Sequence, residues 1–365
     1  MRLPEWQPWQ GLNRTVPERE RLTMTTDTHL SRLIRLIAGD KAADDMLATL
    51  LIDRAFLLES AGAVSRGVFA MALNTILFHD LLGRVPTGAA YVADRRRQRE
   101  RITFDHGALR TVHLGTAVTG ELPAGVASFA RILEPLGYHV AGVYPLDSLR
   151  MTGRGFAHRE YPETLPQFFV SELHVERFSE AFRLAATRVF GTSREPLTPV
   201  AWNALAEFAA QGRCEMKLAA PALREIVAAF GRWHDIPRLA DYRQLLAESP
   251  EAAWIATEGA AFNHATDRVA DVAMTACGQR SLGRPVKAAI EVSAAGSVRQ
   301  TAFKADPVRR PFREEDGSIT EMTVPGSFYE FISRDVVTGA DGRPHMDLRF
   351  DSGNAQAIFK MTASG

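Results

Sequence analysis

The sequence predicts an α+β fold in which a curved, mixed β-sheet follows a set of N-terminal helices and carries a helical insertion in its middle. Three observations lead to this expectation. Apolar residues recur at three- and four-residue spacing between residues 28 and 83, which is typical of amphipathic helices. The spacing changes to two at residue 102, and strand-like runs return after residue 289. Helical spacing between about residues 176 and 250 separates the two strand-rich regions.

The N-terminal helices begin shortly after a second methionine, Met24. Leu30 opens the helical pattern, which continues with few breaks up to a predicted loop at 84–88. We interpret residues 1–23 as an extension or a flexible arm. The chain length suits one large domain or two ordinary ones. We expect residues 24–365 to form a single catalytic domain.

The first strand is predicted from alternation. Ile102, Phe104, His106, Ala108 and Arg110 would share one face, since alternate side chains of a strand point the same way. The same reasoning predicts further strands, which are 137–145, 168–174, 289–293, 301–304, 327–333 and 346–350.

Composition excludes several classes of protein. The 365 residues contain 43 basic and 43 acidic side chains, so bulk charge would draw the chain neither to nucleic acid nor to a membrane surface. The two cysteines, Cys214 and Cys277, are far apart and predict neither a disulfide framework nor a thiolate zinc site. We expect a cytoplasmic protein, because a reducing compartment suits this cysteine usage.

Three side chains that can bind metals stand in short, partly apolar runs. They are His106, His264 and Glu330. Two histidines and one carboxylate, with open positions left over, are the ligand set of non-haem Fe(II) oxygenases. Glu330 alternates with Phe328 and Ile332. If those apolar side chains face the core, the carboxylate does too, and a buried carboxylate needs a cation.

Each of these residues also has a simpler interpretation. His106 can be a histidine that is hydrogen-bonded in the core. His264 can belong to a helix cap, since Asn263 and Asp267 are residue types that favour helix ends. In a metal site, one of those two side chains, Asn263 or Asp267, could instead accept the second N–H of the His264 imidazole. The strand face that carries Glu330 can also be turned to solvent.

Two further polar features accompany these residues. Arg110 lies four residues after His106 on the same predicted face, where a guanidinium suits an anionic substrate with a carboxylate. Glu172 and His174 share a strand face and form a second candidate pair of metal ligands.

The candidate residues lie in segments whose order and spacing resemble the 2-oxoadipate dioxygenase/decarboxylase family, also called the 2-hydroxyglutarate synthase family. Its members look like divergent relatives of the vicinal-oxygen-chelate enzymes. The segments that carry the resemblance are 105–111, 168–173, 253–264, 301–304, 325–331 and 354–359.

The resemblance implies a catalytic domain built on a vicinal-oxygen-chelate-like partial barrel around a metal. It implies Fe(II) held by His106, His264 and Glu330. It also implies that Arg110 is a catalytic residue that grips a substrate carboxylate.

The same resemblance implies a substrate and a reaction. Ser352 and Asn354 would line the substrate pocket. The enzyme would convert 2-oxoadipate and O2 to 2-hydroxyglutarate and CO2, a step in lysine breakdown. A small 2-oxo acid and O2 would be its partners, with no nucleic acid or membrane involved.

Three alternatives remain open at this point. The protein can act on another 2-oxo acid. It can be a lyase, isomerase or hydrolase that uses a different divalent metal, since two histidines and a glutamate also suit zinc. It can be a non-catalytic binding protein, in which case the three candidate ligands would not converge. The sequence does not predict the oligomeric state.

Overall fold

An eight-stranded mixed sheet organises the protein, as described by a computed structural model for residues 27–339 and 342–359. The predicted arm, residues 1–23, lies outside the described residues. The helices are α1 (His29–Ala38), α2 (Asp40–Thr49), α3 (Arg66–Arg84), α4 (Pro86–Arg97), α5 (Ala127–Leu133), α6 (Glu180–Phe190), α7 (Pro199–Gln211), α8 (Met216–Ala229), α9 (Leu239–Glu248), α10 (Pro250–Glu258), α11 (Val272–Ser281) and α12 (Ser352–Phe359). The strands are β1 (Val64–Ser65), β2 (Phe104–His113), β3 (Val118–Thr119), β4 (Leu122–Pro123), β5 (Tyr138–Leu146), β6 (Met151–His158), β7 (Gln167–His174), β8 (Arg213–Cys214), β9 (His264–Arg268), β10 (Glu291–Val292), β11 (Val298–Ala302), β12 (Pro307–Arg313), β13 (Ile319–Pro325), β14 (Phe328–Arg334), β15 (Val336–Thr338) and β16 (Pro344–Met346).

The large sheet consists of two halves that repeat one topology. Its strand order is β10-β11-β14-β9-β2-β7-β6-β5. In each half, a first strand is followed by a helix and then by three strands that pair antiparallel, and the last of these lies parallel to the first. The two first strands, β2 and β9, pair antiparallel in the middle of the sheet. This structural repeat was not visible in the sequence.

Cross-strand register makes the repeat quantitative. His106 lies opposite Thr266, and Ala108 lies opposite His264. An offset of 158 residues therefore relates the first half to the second, since 264 − 106 and 266 − 108 both equal 158. The two candidate histidines occupy equivalent positions on the two central strands.

The helices cover the sheet in two groups. The N-terminal helices α1 and α3 pack with α8 and share a hydrophobic core with the sheet. Helices α6, α9 and α10 pack together over a second apolar cluster that includes Phe169 and Trp254. The helices between the two halves of the sheet run from α6 to α10.

Prolines and hydroxyl side chains define where several helices begin. Thr198 and Ser249 accept hydrogen bonds from backbone N–H groups in the first turns of α7 and α10. Pro199 and Pro250 follow them as the first helical residues, where a missing N–H costs nothing. Pro86 opens α4 in the same way. The predicted loop at 84–88 is therefore wrong, because its proline begins a helix.

The predicted fold class is confirmed, with corrections to individual strands. Strands β6 and β9, and the hairpin of β12 and β13, were missed. The strand predicted at 346–350 is also wrong beyond its first residue, because β16 ends at Met346. The residues that follow it run over the large sheet and pack there through the Phe350 ring.

Helix length and composition bear on whether the chain could cross a membrane. Among the described residues, no single helix has both the length and the apolar composition to do so. Helices α3 and α4, which are bent by 116° at their junction, meet those criteria only when the pair is counted together.

We predict that Gly107→Ala destabilises the fold. A Cβ at this position on β2 would lie 2.3 Å from the ring of Phe262, which is buried in the main core. Overpacking of this kind costs about 1–3 kcal/mol of unfolding free energy, measurable by urea denaturation. Gly83→Ala is the matched control, because a methyl group added at that exposed helical position would meet nothing within 4 Å apart from its chain neighbours and the backbone of its own helix. Equal stability of the two variants would contradict the packing.

Candidate metal centre

The side chains of His106, His264 and Glu330 converge at the middle of the large sheet. Each offers one ligand atom, and these atoms all lie within 4.8 Å of one another. All three residues are buried, with at most 5% of any of them exposed. The sequence separates them by 158 and 66 residues, so the sheet alone brings them together.

The strand register explains the convergence. Strands β2, β9 and β14 are adjacent, and Glu330 lies beside Thr266, which in turn lies opposite His106. His264 lies opposite Ala108, two residues further along β2. All these positions fall on one face of the pleat. A register shift between Phe104 and His106 interrupts the predicted alternation, so Phe104 packs in the core on the other side.

The electrostatics of the site favour a cation. Burial, together with the charges of Glu291 and Asp105, raises the pKa of Glu330 well above its usual range. Burial likewise lowers the pKa of His264 well below its usual range. Neither oxygen of Glu330 has a hydrogen-bond partner among the described residues. The Nε2 atom of His264 lies 3.1 Å from one of them, but not in hydrogen-bonding geometry.

These observations fit a metal ion. A buried carboxylate without hydrogen bonds is unfavourable unless a cation neutralises it. Two imidazoles kept neutral by burial offer lone pairs, which is the form in which histidine binds metals. His106, His264 and Glu330 would hold the ion, and three protein ligands leave coordination positions open.

His106 has a fixed orientation and tautomer. Its Nδ1 lies 2.8 Å from a carboxylate oxygen of Asp105, so Nδ1–H donates and Nε2 keeps its lone pair toward the site. The Thr266 hydroxyl lies 3.1 Å from that Nε2. Burial opposes ionisation of Asp105, but the charge of Arg334 and the hydrogen bond from His106 hold its pKa well below its usual range.

Neither Asn263 nor Asp267 accepts a hydrogen bond from the His264 imidazole, although the sequence predicted that one of them could. Asp267 points to the opposite face of β9, where it accepts hydrogen bonds from the Tyr91 hydroxyl at 2.7 Å and from the Thr103 N–H at 3.1 Å. The Asn263 side-chain oxygen has no hydrogen-bond partner in the described part of the chain. The helix-cap interpretation is also wrong, because His264 begins strand β9.

Arg110 shares the strand face of His106 and is fully buried. Its guanidinium carbon lies 4.9 Å from the centre of the Trp254 ring. A cation placed above the face of an aromatic ring is attracted to it. The Trp254 indole N–H donates to the Gly326 carbonyl at 3.0 Å, which fixes that ring. Burial lowers the pKa of Arg110 to about 10, against the opposing charge of Glu251, so it remains a cation near neutral pH.

Ser352 and Asn354 lie in the first turns of α12. The Asn354 amide nitrogen is placed to donate to the Val292 carbonyl at 3.2 Å, and its oxygen to accept from the Ser293 N–H at 3.3 Å. These contacts tie α12 to β10. Ser352 is half-buried. That Ser352 and Asn354 line a substrate pocket stays a prediction.

The second candidate pair does not join a metal-binding group. Glu172 accepts from the Val126 N–H at 2.8 Å and from Arg154 at 3.3 Å. His174 hydrogen-bonds with the Thr152 hydroxyl at 2.8 Å. Within the described residues, three convergent ligands occur only at His106, His264 and Glu330.

Two aromatic residues near the site were missed. Phe350 packs edge-on against His106, with ring centres 4.9 Å apart, and contacts Phe169 at 4.8 Å. The register places Phe169 beside Ala108, just as Glu330 lies beside Thr266. In the repeat, Phe169 is therefore the counterpart of Glu330, and the first half supplies no carboxylate. A comparison of the two halves could have found this position.

The family model for 2-oxoadipate dioxygenase/decarboxylase matches residues 80–360. The chain belongs to this family. The resemblance expected from the sequence is thus confirmed. A curated 2-oxoadipate dioxygenase/decarboxylase from Mycobacterium tuberculosis is 26% identical over an aligned length of 287, and the match covers 73% of this chain and 66% of the relative. The chain therefore spans just under two thirds of the length of that relative.

Solved structures share the fold of this family member. A protein from Ralstonia eutropha JMP134 assigned to the glyoxalase superfamily is 47% identical, with a TM-score of 0.83, and the match covers 88% of this chain and 98% of that protein. The hydroxyglutarate synthase of Oryza sativa in complex with 2-oxoadipate is 22% identical, with a TM-score of 0.62 over 83% of this chain and 96% of that one. The second likeness concerns the fold alone.

We predict that Asp267→Asn changes stability in a pH-dependent way. Burial raises the pKa of Asp267 to about 6, against about 3.9 in an unfolded chain. The folded state therefore binds the additional proton between these values, and stability from this group is lost as pH rises from about 4 to 6. Asparagine stays neutral and can still accept from Tyr91.

The unfolding free energy of Asp267→Asn minus that of the wild type should therefore increase by about 2–3 kcal/mol from pH 4 to pH 6.5. Urea denaturation of the metal-free proteins at several pH values measures this. A difference that stays constant across the range would contradict the buried, protonated Asp267.

Proposed function

We propose that this protein is an Fe(II)-dependent dioxygenase that decarboxylates 2-oxoadipate, giving 2-hydroxyglutarate and CO2 in lysine breakdown. The convergence of His106, His264 and Glu330 within 4.8 Å carries the proposal. Membership of the 2-oxoadipate dioxygenase/decarboxylase family supports it. The reaction balances with both atoms of O2 in the products, so it needs no separate reductant.

The residues of the chain would divide the work. Fe(II), when bound, supplies coordination positions for the 2-oxo acid and the means to activate O2. Asp105 holds His106 in the tautomer that presents Nε2 to the site. Arg110, a buried cation on the same strand face, would bind the distal carboxylate of the substrate and fix its orientation. Phe350 and Phe169 would keep water away from the reacting groups.

A second candidate function keeps the scaffold and changes the chemistry. The relative from Ralstonia eutropha is assigned to the glyoxalase superfamily and is 47% identical. The curated dioxygenase is 26% identical and longer than this chain. A metal-dependent lyase, isomerase or hydrolase, or a dioxygenase for another 2-oxo acid, would use the same three ligands with a different metal or substrate.

Compartment and partners follow from the same proposal. The substrate would be a small 2-oxo acid, with O2 as the second reactant. Both Cys214 and Cys277 are free thiols, which suits the reducing cytoplasm that we propose as the site of action.

Anaerobic loading with Fe(II), followed by a screen of 2-oxo acids for O2 consumption, tests the proposed function. We expect O2 uptake and CO2 release in equal amounts with 2-oxoadipate. A parallel sample loaded with Zn(II) should be inactive. Activity with Zn(II), or no O2 uptake with any 2-oxo acid despite bound Fe(II), would favour the second candidate function.

We predict that His264→Ala abolishes tight metal binding, because two ligands cannot hold the ion as three do. Metal content after anaerobic reconstitution and desalting measures the effect. His113→Ala is the matched control, since His113 ends strand β2 and its side chain lies at the surface near Glu176. Full metal content in His264→Ala would remove this residue from the ligand set.

We predict that Arg110→Met keeps its metal but weakens the binding of 2-oxoadipate. Loss of a hydrogen bond between charged groups costs about 1.5–3 kcal/mol, so KM should rise roughly ten- to a hundredfold. 2-Oxohexanoate, which lacks the distal carboxylate, is the matched control substrate and should be affected little. An equal loss with both substrates would contradict the assigned role of Arg110.

A further inference from the structure

Arg334 is a fully buried arginine at the end of β14, four residues after Glu330. Its Nε and Nη2 atoms donate to the carboxylate of Asp105 at 2.9–3.2 Å. Its Nη1 atom donates to the backbone carbonyls of Asp347 and Arg349, both at 2.8 Å. One guanidinium thus joins the carboxylate that orients His106 to a segment near the C-terminus.

That segment, residues 347–350, is termed here the strap. Its backbone follows no regular secondary structure. The Asp347 N–H donates to the Asp335 carbonyl at 3.0 Å, and the Phe350 N–H donates to the Tyr144 hydroxyl at 3.1 Å. The strap is therefore held by individual hydrogen bonds rather than by a strand ladder.

The strap places an aromatic ring over the metal ligands. The Phe350 ring packs against His106 and Phe169, and it lies 5.3 Å from the guanidinium carbon of Arg334. The three ligand residues are almost inaccessible to solvent, so opening of a segment that covers them would ease the entry of a substrate. The strap covers one of them, because the Phe350 ring lies against His106.

We propose that Arg334 is a positioning residue that couples closure of the strap to the orientation of the metal ligand His106. The inference rests on the proposed function, because it takes His106 as a ligand. A guanidinium presents its donors in one rigid plane. The guanidinium donates to the Asp105 carboxylate and to the strap carbonyls at the same time. All its donors have partners only when Asp105 and the strap are both in place.

The coupling would arise because either movement leaves donors of the buried guanidinium without partners. Opening the strap removes two acceptors from a buried cation, and each buried donor left without a partner is unfavourable. Displacing Asp105 leaves the same cation without its counter-charge, which is more unfavourable still. A metal that fixes His106 also fixes Asp105, so metal binding should make strap closure more favourable. By linkage, a closed strap should strengthen metal binding equally.

A purely structural ion pair would behave differently. It would stabilise the whole fold, but the mobility of the strap would not respond to metal. Hydrogen exchange of the strap amides separates the two roles, because it reads local opening rather than global stability. Co(II) is a suitable probe ion, since it remains divalent in air-free buffer and its absorption reports binding.

The experiment compares wild type, Arg334→Lys and Arg188→Lys, each with and without saturating Co(II). Arg188, which is half exposed, is the control, because its guanidinium also binds one carboxylate, that of Asp241, at 2.6–2.9 Å, and it joins helices α6 and α9 instead of strands of the large sheet. Strap exchange is followed by mass spectrometry of peptides covering 347–350. Co(II) affinity is measured by titration.

In the wild type and in Arg188→Lys, Co(II) should slow strap exchange by about five- to a hundredfold, the usual range of coupling between sites. In Arg334→Lys, strap exchange should be fast and insensitive to Co(II). Its Co(II) affinity should fall about ten- to a hundredfold, as expected when a group supporting a ligand is altered.

Three other outcomes would overturn the inference, and one of them would also overturn the proposed metal centre. Unchanged affinity and unchanged metal protection in Arg334→Lys would overturn the inference but leave the proposed metal centre intact. If Arg334→Lys fails to fold, the wild-type measurement decides, since strap exchange that ignores bound Co(II) overturns the coupling. Failure of the wild type to bind Co(II) would overturn the proposed metal centre, and the inference with it.

Discussion

The structure depends on a carboxylate placed where water cannot reach it. Glu330 is 1% exposed, receives no hydrogen bond among the described residues, and faces two imidazoles that burial keeps neutral. Such a group is unfavourable unless it is protonated or meets a cation. The sheet and its covering helices keep the three side chains together despite the unfavourable free energy of burying the carboxylate. A buried carboxylate of this kind lowers the stability of the fold, and its placement is better explained by the binding of a cation.

The repeat within the sheet explains how the three candidate ligands are placed. Each half contributes a histidine at an equivalent position, His106 and His264, from its first strand. The last strands differ, since the second half supplies Glu330 and the first supplies Phe169. One corner of a symmetric site is thus apolar. Three protein ligands would leave coordination positions of a bound metal open, as in oxygen-activating and other catalytic metal sites.

Sequence patterns predicted the fold class, and family resemblance selected the residues that converge. The patterns missed β6 because Gly153 and Gly155 weaken a strand signal, although added side chains there would strike the aromatic rings of Phe169 and Phe350. They misjudged β9 because its polar residues are typical of helix caps. The contact between Asp105 and Arg334 joins residues 229 apart in sequence. No local periodicity carries such a pair, so only the folded chain shows it.

A crystal structure grown anaerobically with Fe(II), with data collected at the iron absorption edge, would show whether His106, His264 and Glu330 hold iron. We predict one anomalous peak about 2.0–2.2 Å from a nitrogen of His106, a nitrogen of His264 and an oxygen of Glu330. An iron peak bound elsewhere would contradict it. So would a site without iron in which Glu330 pairs with His264 alone.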